Sequence, residues 1–396
     1  MTLLIDPPSW PARGRLWSHL VSDQSLEELH SFAAAAGIPS PAFERDHYDV
    51  PEQRYGALVA AGAVPVGSRV IVTALHAAGL RRRLGEALGP RRPGRRLLRP
   101  PRLHAGDRVA VVAPAGTVPP ERLDAGIAVL QSWGLHVSVG RHVLRRHPRL
   151  HHLAGSDAER ADDLTTAWTD PATRAVIAAR GGSGIHRLLD SLDWTALAAA
   201  GPKLLVGFSD VSALHEAFAQ RLGLVTVHGP VVCSLGEAPH EERAWLRGLL
   251  MDPGSLRWDG LDVLVEGSAD GVLAGGNLAV LAAGLGTSVS RPATEAIVVL
   301  EEIREEPYRI DRMLTQLLRA GWFAGVRGVA IGHLTGCGDP RQVRAVLSDR
   351  IGDLGVPVLA GLPFGHEAPN LALPLGVRAR LDTAARRLTL LDCPLR

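Results

Sequence analysis

Ser209, Glu301 and His366 are the residues of this 396-residue chain whose types and settings suit nucleophilic chemistry. Ser209 lies in Val206-Gly207-Phe208-Ser209-Asp210-Val211. Residues 203–206 read as a buried strand and 211–222 carry the apolar spacing of a helix, so Ser209 falls on a strand-to-helix turn. Such a turn exposes the hydroxyl and aims the first free N–H groups of a helix beside it. A nucleophile needs both, because its attack creates an oxyanion that fixed donors must receive. Sharp turns also favour Ser and Asp for purely structural reasons. Glu301 closes the apolar run 296–300, and His366 follows the run 356–360 through a Gly-flanked turn. Each has a local alternative: Glu301 could pair with Arg309 or Arg312, and His366 could be a turn residue. Taken together the three supply nucleophile, orienting acid and base. The order Ser, acid, His also occurs in α/β-hydrolases, but the turn lacks the second glycine of their elbow. Arg180-Gly181-Gly182-Ser183-Gly184 could turn N–H groups toward an anion. It lacks the Gly-Lys-Ser/Thr ending of a phosphate loop and half of a dinucleotide fingerprint. A plain tight turn is its alternative.

The elements that must position these groups alternate from residue 106 onward. Strands are predicted at 108–113, 135–139, 174–179, 203–206 and 224–227. Helices are predicted at 121–133, at 211–222, and from the cap Ser156 to 168. Alternation implies an α/β fold with a parallel, Rossmann-like sheet and ligands beyond the strand carboxyl ends. Residues 180–184 and 209 both lie at such ends, so they can meet. Beyond about 255 the texture changes to short strands at 261–265, 271–273, 296–300, 328–331 and 356–360. Helices at 308–320 and 341–351 and a hairpin over 377–391 complete a mixed, β-rich C-terminal domain. The expected division is a small α/β module at 1–85, an Arg/Pro-rich linker at 86–104, and domains at 105–255 and 260–396. The window 81–102 holds nine arginines against one acid, with Pro90, Pro93, Pro100 and Pro101, which suits an extended connection.

In the front module, residues 3–5 form a strand candidate. Ser25 can cap a helix to 36, with Glu28 at the capping-box position and Gly37 as the stop. Ser68 can cap another helix running to Gly79. His19, Asp46 and His47 could serve as metal ligands or acid–base groups. A hydrogen-bonded turn beside a surface histidine is the plainer reading of the same residues.

Apolar content of 46%, charged content of 21% and a net charge of +2 describe an ordinary globular chain with no global field for nucleic acid or membrane. Lys203 is the only lysine, so the Arg runs reflect a chain-wide preference. Cys233, Cys337 and Cys393 are odd in number and far apart, which fits a reducing compartment. The opening residues do not read as a signal peptide, and no apolar run reaches spanning length. A cytoplasmic protein is expected.

Five stretches resemble the LD-carboxypeptidase family of serine peptidases, the murein tetrapeptide carboxypeptidases and their relatives. They are Val112-Ala-Pro114; Ala179-Arg-Gly-Gly-Ser-Gly184 with Arg187-Leu-Leu; Gly207-Phe-Ser-Asp210; Leu300-Glu-Glu-Ile303 with Arg309 and Arg312-Met-Leu; and Phe364-Gly-His366 with Leu373-Pro-Leu-Gly376. The resemblance spans 106–396. Residues 10–20 and 46–54 resemble a short bacterial domain of unknown function, which implies no activity. The family pattern implies Ser209 as nucleophile, Glu301 as charge-relay acid and His366 as base. It also implies a site between the two domains and a homodimer. Two departures stand near the expected cleft: Ser183 where the family usually has an aromatic, and Ala115 where it often has Ser.

The mechanism this implies is acyl transfer before a terminal D-amino acid of a murein peptide. Backbone N–H groups of Asp210 and of Gly181 or Gly182 would receive the oxyanion, and no metal or cofactor is required. Arg309 is a weak candidate for the substrate's terminal carboxylate, against an ion pair with Glu305 or Glu306. Two other functions remain open. One is the same chemistry on peptidyl-nucleotide antibiotics, giving self-immunity. Relatives of that kind carry a longer insertion with an aromatic to stack on a base, whereas 210–300 here is compact, with Phe218, Trp245 and Trp258 as its aromatics. The other is a catalytically silent murein-peptide-binding protein.

Overall fold

Leu204–Gly207 is buried at every residue and lies inside a six-stranded sheet, as an apolar run flanked by helices on both faces must. The sheet runs Leu373–Leu375, Thr226–His228, Leu204–Gly207, Thr173–Ala178, Arg108–Val112, His136–Val139. The last five strands pair in parallel. The helices Pro120–Ser132, Asp157–Thr169 and Ser212–Arg221 fall within one residue of their predicted bounds. Ser156 caps Asp157–Thr169 in a reciprocal capping box with Glu159, which fixes that boundary.

The coordinates are a computed structural model that describes residues 2–12, 14–39, 42–44, 46–78, 80 and 97–396. Of the expected linker 86–104, residues 86–96 lie outside these. Two compact units are present, Met1–Gly89 and Pro90–Arg396.

The second sheet of the larger unit has eight strands. It runs Arg257–Trp258, Arg387–Leu390, Arg378–Asp382, Ser268–Asn277, Ala296–Ile303, Gly328–Thr335, Val358–Ala360, Asp262–Val265. Its centre is parallel and its flanks antiparallel, so the expected β-rich domain has an α/β heart.

Leu373–Leu375 crosses to the first sheet and pairs antiparallel with Thr226–His228. Two expectations are corrected. Ser268–Asn277 is ten residues long, not the three of 271–273. Its Gly275 and Gly276 take φ of 116° and 142°, a conformation that hides the strand from a periodicity reading. Glu301 does not end its strand, which continues to Ile303. The pairing with Gly328–Thr335 instead slips a register between Leu300 and Glu302. A bulge therefore re-aims Glu301 within a strand.

In the smaller unit a mixed sheet is ordered Phe43–Glu44, His47–Pro51, Arg15–Ser22, Leu3–Ile5, Val64–Pro65, with Trp10–Ala12 paired to Arg15–Ser22. Helices Leu26–Ala35 and Glu52–Ala60 bury Leu29, Ala33 and Leu58 with Leu20, Tyr48 and Val50. Ser68–Ala77 contributes Ile71 and Leu75 to a second cluster with Leu4 and Val21. Glu52–Ala60 was not foreseen: Gly56 and a polar start obscure it. Ser25 does cap its helix, but the Glu28 carboxylate accepts from Ser22 Oγ rather than completing a box. Ser68 is the first helical residue, and its Oγ donates to Asp6 at 2.7 Å. Gly79, the expected stop, lies outside the described residues. Among those residues no helix is long and apolar enough to cross a membrane.

The sheets of the larger unit meet where Gly276 passes the helix after Ser209. A methyl at Gly276 would come within 2.4 Å of Ser212 Oγ. Gly276→Ala should therefore destabilise the chain by about 1–3 kcal/mol, an overpacking cost with strained backbone added. Urea unfolding measures this, and a wild-type midpoint would show that the contact relaxes freely.

Candidate active site

Ser209 sits where Leu204–Gly207 ends and a 3₁₀ turn, Ser209–Val211, opens into Ser212–Arg221. Its φ is 65°, a left-handed conformation that costs a non-glycine residue free energy and marks a held geometry. Two contacts fix the residues around it. The Asp210 carboxylate, buried, accepts from Ile185 N–H at 2.9 Å. His215, one helical turn on, meets the Gly207 carbonyl through Nε2 at 2.8 Å. Burial raises the Asp210 pKa, and the Ile185 N–H partly offsets it.

The Gly-rich turn comes to Ser209 as expected. A Cβ on Gly181 would lie 2.7 Å from Ser209 Cβ and 3.0 Å from its Oγ, so only glycine allows this approach. The Gly181 carbonyl accepts from Gly116 N–H at 3.0 Å, and Gly182 has φ of 122°. Among the described residues no acceptor meets the N–H of Gly181, Gly182 or Asp210. Buried Arg160 anchors the turn's far end, donating to the carbonyls of Pro114 and Gly184 at 2.6 and 3.1 Å. Its charge is met by Asp157, which Arg187 also grips. The Arg187 hydrogen bond is the main cause of a lowered Asp157 pKa. Of the two departures, Ser183 is exposed. Ala115 is fully buried in the core, beside Gly116, whose N–H meets the Gly181 carbonyl.

Glu301 and His366 are brought together. His366 Nδ1 lies 2.7 Å from Glu301 Oε2. The carboxylate is fully buried and the imidazole 15% exposed. The His366 ring packs 4.8 Å from the ring of Phe208, the residue before Ser209. Among the described residues no hydrogen bond joins Ser209 Oγ to His366. The loop carrying His366 is held behind the ring: Asn370 Oδ1 accepts from Gly365 N–H at 3.0 Å, and Asn370 N–H reaches buried Glu242 at 2.8 Å. Gly365, at φ of 122°, leaves room for Glu301, whose Cβ would be 3.0 Å from an added methyl.

Several contributors escaped the sequence reading. Glu302 is buried and accepts from Asn277 Nδ2, Ala279 N–H and Ile303 N–H. Burial raises its pKa against those bonds. Asn277 caps Leu278–Ala283, and its N–H reaches Ser212 Oγ at 3.0 Å. This ties the C-terminal sheet to the helix after Ser209. His228 is fully buried between Phe208 and Phe364, and burial drops its pKa well below the usual value. The Gly-Gly-Asn and Gly-His-Glu-Ala-Pro-Asn runs were the available signals for Asn277 and Asn370. Arg309 is exposed and bonded to Glu305 at 3.3 Å, the pairing weighed against a substrate role.

Residues 109–229 match the family described as LD-carboxypeptidase N-terminal domain, and 270–381 its C-terminal domain. SCO6489 of Streptomyces coelicolor, which carries a provisional carboxypeptidase name, is 52% identical over 300 residues. The match covers 75% of this chain and 97% of that protein. The chain belongs to the LD-carboxypeptidase family. It is a serine-type carboxypeptidase, a hydrolase. The carboxypeptidase is 37% identical to the murein tetrapeptide carboxypeptidase of Pseudomonas aeruginosa, across 69% of its own length and 93% of the relative's. The solved muramoyltetrapeptide carboxypeptidase of Oxalobacter formigenes superposes with a TM-score of 0.64 at 32% identity. That match spans 72% of this chain and 97% of the other. The MccF-like protein of Bacillus anthracis gives 0.68 at 26%, covering 74% and 99%. Residues 3–78 match a family described as protein of unknown function, DUF4031. Family and fold class thus agree with the sequence reading.

Burial of His215 predicts that acid destabilises the carboxypeptidase. Burial lowers His215 from 6.5 to about 4. Between those values the unfolded chain binds a proton that the folded chain refuses. Stability is therefore complete above pH 6.5 and falls as pH drops toward 4, by ~1.4 kcal/mol per pH unit for this group. Urea unfolding of wild type at pH 7 and pH 5 should differ by roughly 2 kcal/mol more than in His215→Gln. Equal acid losses in the two chains would remove His215 as the cause.

Proposed function

We propose that the enzyme releases a terminal D-alanine from murein tetrapeptides through Ser209, His366 and Glu301. His366 Nε2 takes the Ser209 proton as Oγ bonds to the carbonyl carbon before the D-residue. Glu301 holds the imidazole in the Nδ1–H tautomer and stabilises the imidazolium. The carbonyl oxygen becomes an oxyanion, received by the N–H of Asp210 with that of Gly181 or Gly182. Collapse breaks the C–N bond, and the leaving amine takes the proton from His366. Water, deprotonated by His366, then hydrolyses the acyl-enzyme.

The observation that supports this reading is the 2.7 Å contact between Glu301 and His366, with the imidazole packed on the residue next to Ser209. Catalytic hydrogen bonds often tighten when substrate binds, and the serine–imidazole bond belongs to that step. The free N–H groups at 181, 182 and 210 suit an oxyanion. The peptide substrate follows the relatives named for murein tetrapeptides. A cytoplasmic homodimer acting on released murein fragments, in peptidoglycan recycling, completes the proposal.

Hydrolysis of peptidyl nucleotides is the second reading, since relatives include the microcin C7 self-immunity protein MccF of Escherichia coli, 25% identical over 316 residues. The aromatics of 210–300 argue against it. Phe218 and Trp258 are buried in cores, and Trp245 packs on Trp258 and donates to the Ala372 carbonyl. Phe218 and Trp258 offer no free face for a base, and the Trp245 indole N–H is already engaged.

Ser209→Ala should lower D-alanine release from a murein tetrapeptide by about 10³-fold or more, with thermal unfolding nearly unchanged. A chelator should leave the wild-type rate intact. Mass spectrometry of released amino acid reads both, and wild-type turnover by Ser209→Ala would reject the nucleophile.

A further inference from the structure

We propose that the N-terminal unit holds a divalent first-row transition metal between His19, His47 and Asp49. The sheet itself assembles the set. His19 on Arg15–Ser22 stands directly across from Asp49 on His47–Pro51, in antiparallel register. His47 precedes Asp49 by two residues and so shares its face. The neighbours that alternate with them, Leu20, Tyr48 and Val50, point into the core. One ligand atom from each of the three groups lies within 4.8 Å of the other two. His47 Nε2 and Asp49 Oδ1 are 3.3 Å apart, about the spacing of two donors around a tetrahedral ion with ~2.0–2.1 Å bonds.

A second, independent feature is what lies behind the imidazoles. His19 Nδ1 is 3.1 Å from Asp6 Oδ2, and His47 Nδ1 is 2.8 Å from Asp46 Oδ1. A carboxylate on Nδ1 fixes the Nδ1–H tautomer and puts the lone pair on Nε2, the arrangement that backs metal-binding histidines. Asp6 is itself held by Ser68 Oγ. Asp46, one of the three candidates from sequence, thus stands behind a ligand, and Asp49 takes its place. The two ring centroids are 4.9 Å apart at an interplanar angle of 77°, so the imidazoles are immediate neighbours.

Two imidazoles and one carboxylate suit zinc, iron(II) or manganese(II) more than calcium or magnesium. Three protein ligands leave coordination positions for water or a small anion. A cavity of about 320 Å³ opens beside Asp49, with Trp17 and Arg54 in its wall. A second cluster, His142 with Asp162 and Asp163, supplies a single imidazole. Its Asp163 is occupied by the His142 N–H and Nδ1, so it serves as a control.

The test is calorimetric titration of the metal-stripped full-length chain with zinc, paralleled by visible absorption of the cobalt(II) form. One equivalent of zinc should bind per chain. His47→Ala and Asp49→Asn should weaken it by about 100-fold or more, and Asp46→Asn, which keeps all three ligands, by about 10–100-fold. The cobalt absorption of a low-coordinate nitrogen–oxygen site should vanish in Asp49→Asn. His142→Gln should bind as wild type. Thermal unfolding confirms that each variant is folded. Asp49→Asn is a near-isosteric change at a partly exposed residue, so it keeps the test open if His47→Ala does not fold. No zinc uptake by wild type, unchanged affinity in Asp49→Asn, or loss of the site in His142→Gln would overturn the proposal.

Discussion

A fully buried carboxylate at Glu301 is the constraint that the larger unit is arranged around. Removing such a charge from water costs several kcal/mol unless donors replace the lost hydration. The donor is His366 Nδ1, on a loop 65 residues away in sequence. Oε1 has no hydrogen-bond partner among the described residues, so the compensation rests on a single imidazole. Glu302, adjacent in sequence and also buried, contrasts with it. Three fixed donors satisfy Glu302. It serves structure, while its neighbour faces a group that can gain and lose a proton. The register slip at this point of the strand lets consecutive carboxylates serve such different surroundings.

The position of that pair relative to Ser209 depends on how two sheets are joined. Leu373–Leu375, seven residues past His366, completes the first sheet, so the imidazole is suspended between two strands that belong to different sheets. On the other side Asn277 joins Ser212 to Glu302. The segments that carry Ser209 and His366 are thereby anchored at both ends, as a preorganised site requires.

Much of this was legible because the signals were local. Apolar runs and caps placed the strand before Ser209, the helix after it and the helix after Ser156 within a residue or so. The Gly181 approach to Ser209 followed from a general property of parallel sheets. What the chain concealed depends on partners distant in sequence. A bulge at Glu301 is a relation between two strands, and Leu373–Leu375 is three residues whose partner lies nearly 150 positions earlier. Positive φ at Gly275 and Gly276 broke the strand periodicity. His215 and His228 look polar in sequence, yet the fold buries both. In the front unit, Asp46 adjoins His47 in the chain, but antiparallel register selects Asp49 to face His19. Alternation along a strand outranks adjacency.

The proposed mechanism requires one carbonyl carbon to sit before Ser209 while its oxygen meets the N–H of Asp210 and that of Gly181 or Gly182. A crystal structure of Ser209→Ala with an uncleaved murein tetrapeptide measures this directly. The scissile carbon is expected about 3–3.5 Å from the place that Oγ occupies in the wild type, with His366 Nε2 on the same side. An ordered peptide whose scissile carbonyl lies elsewhere, with His366 turned from residue 209, would contradict it.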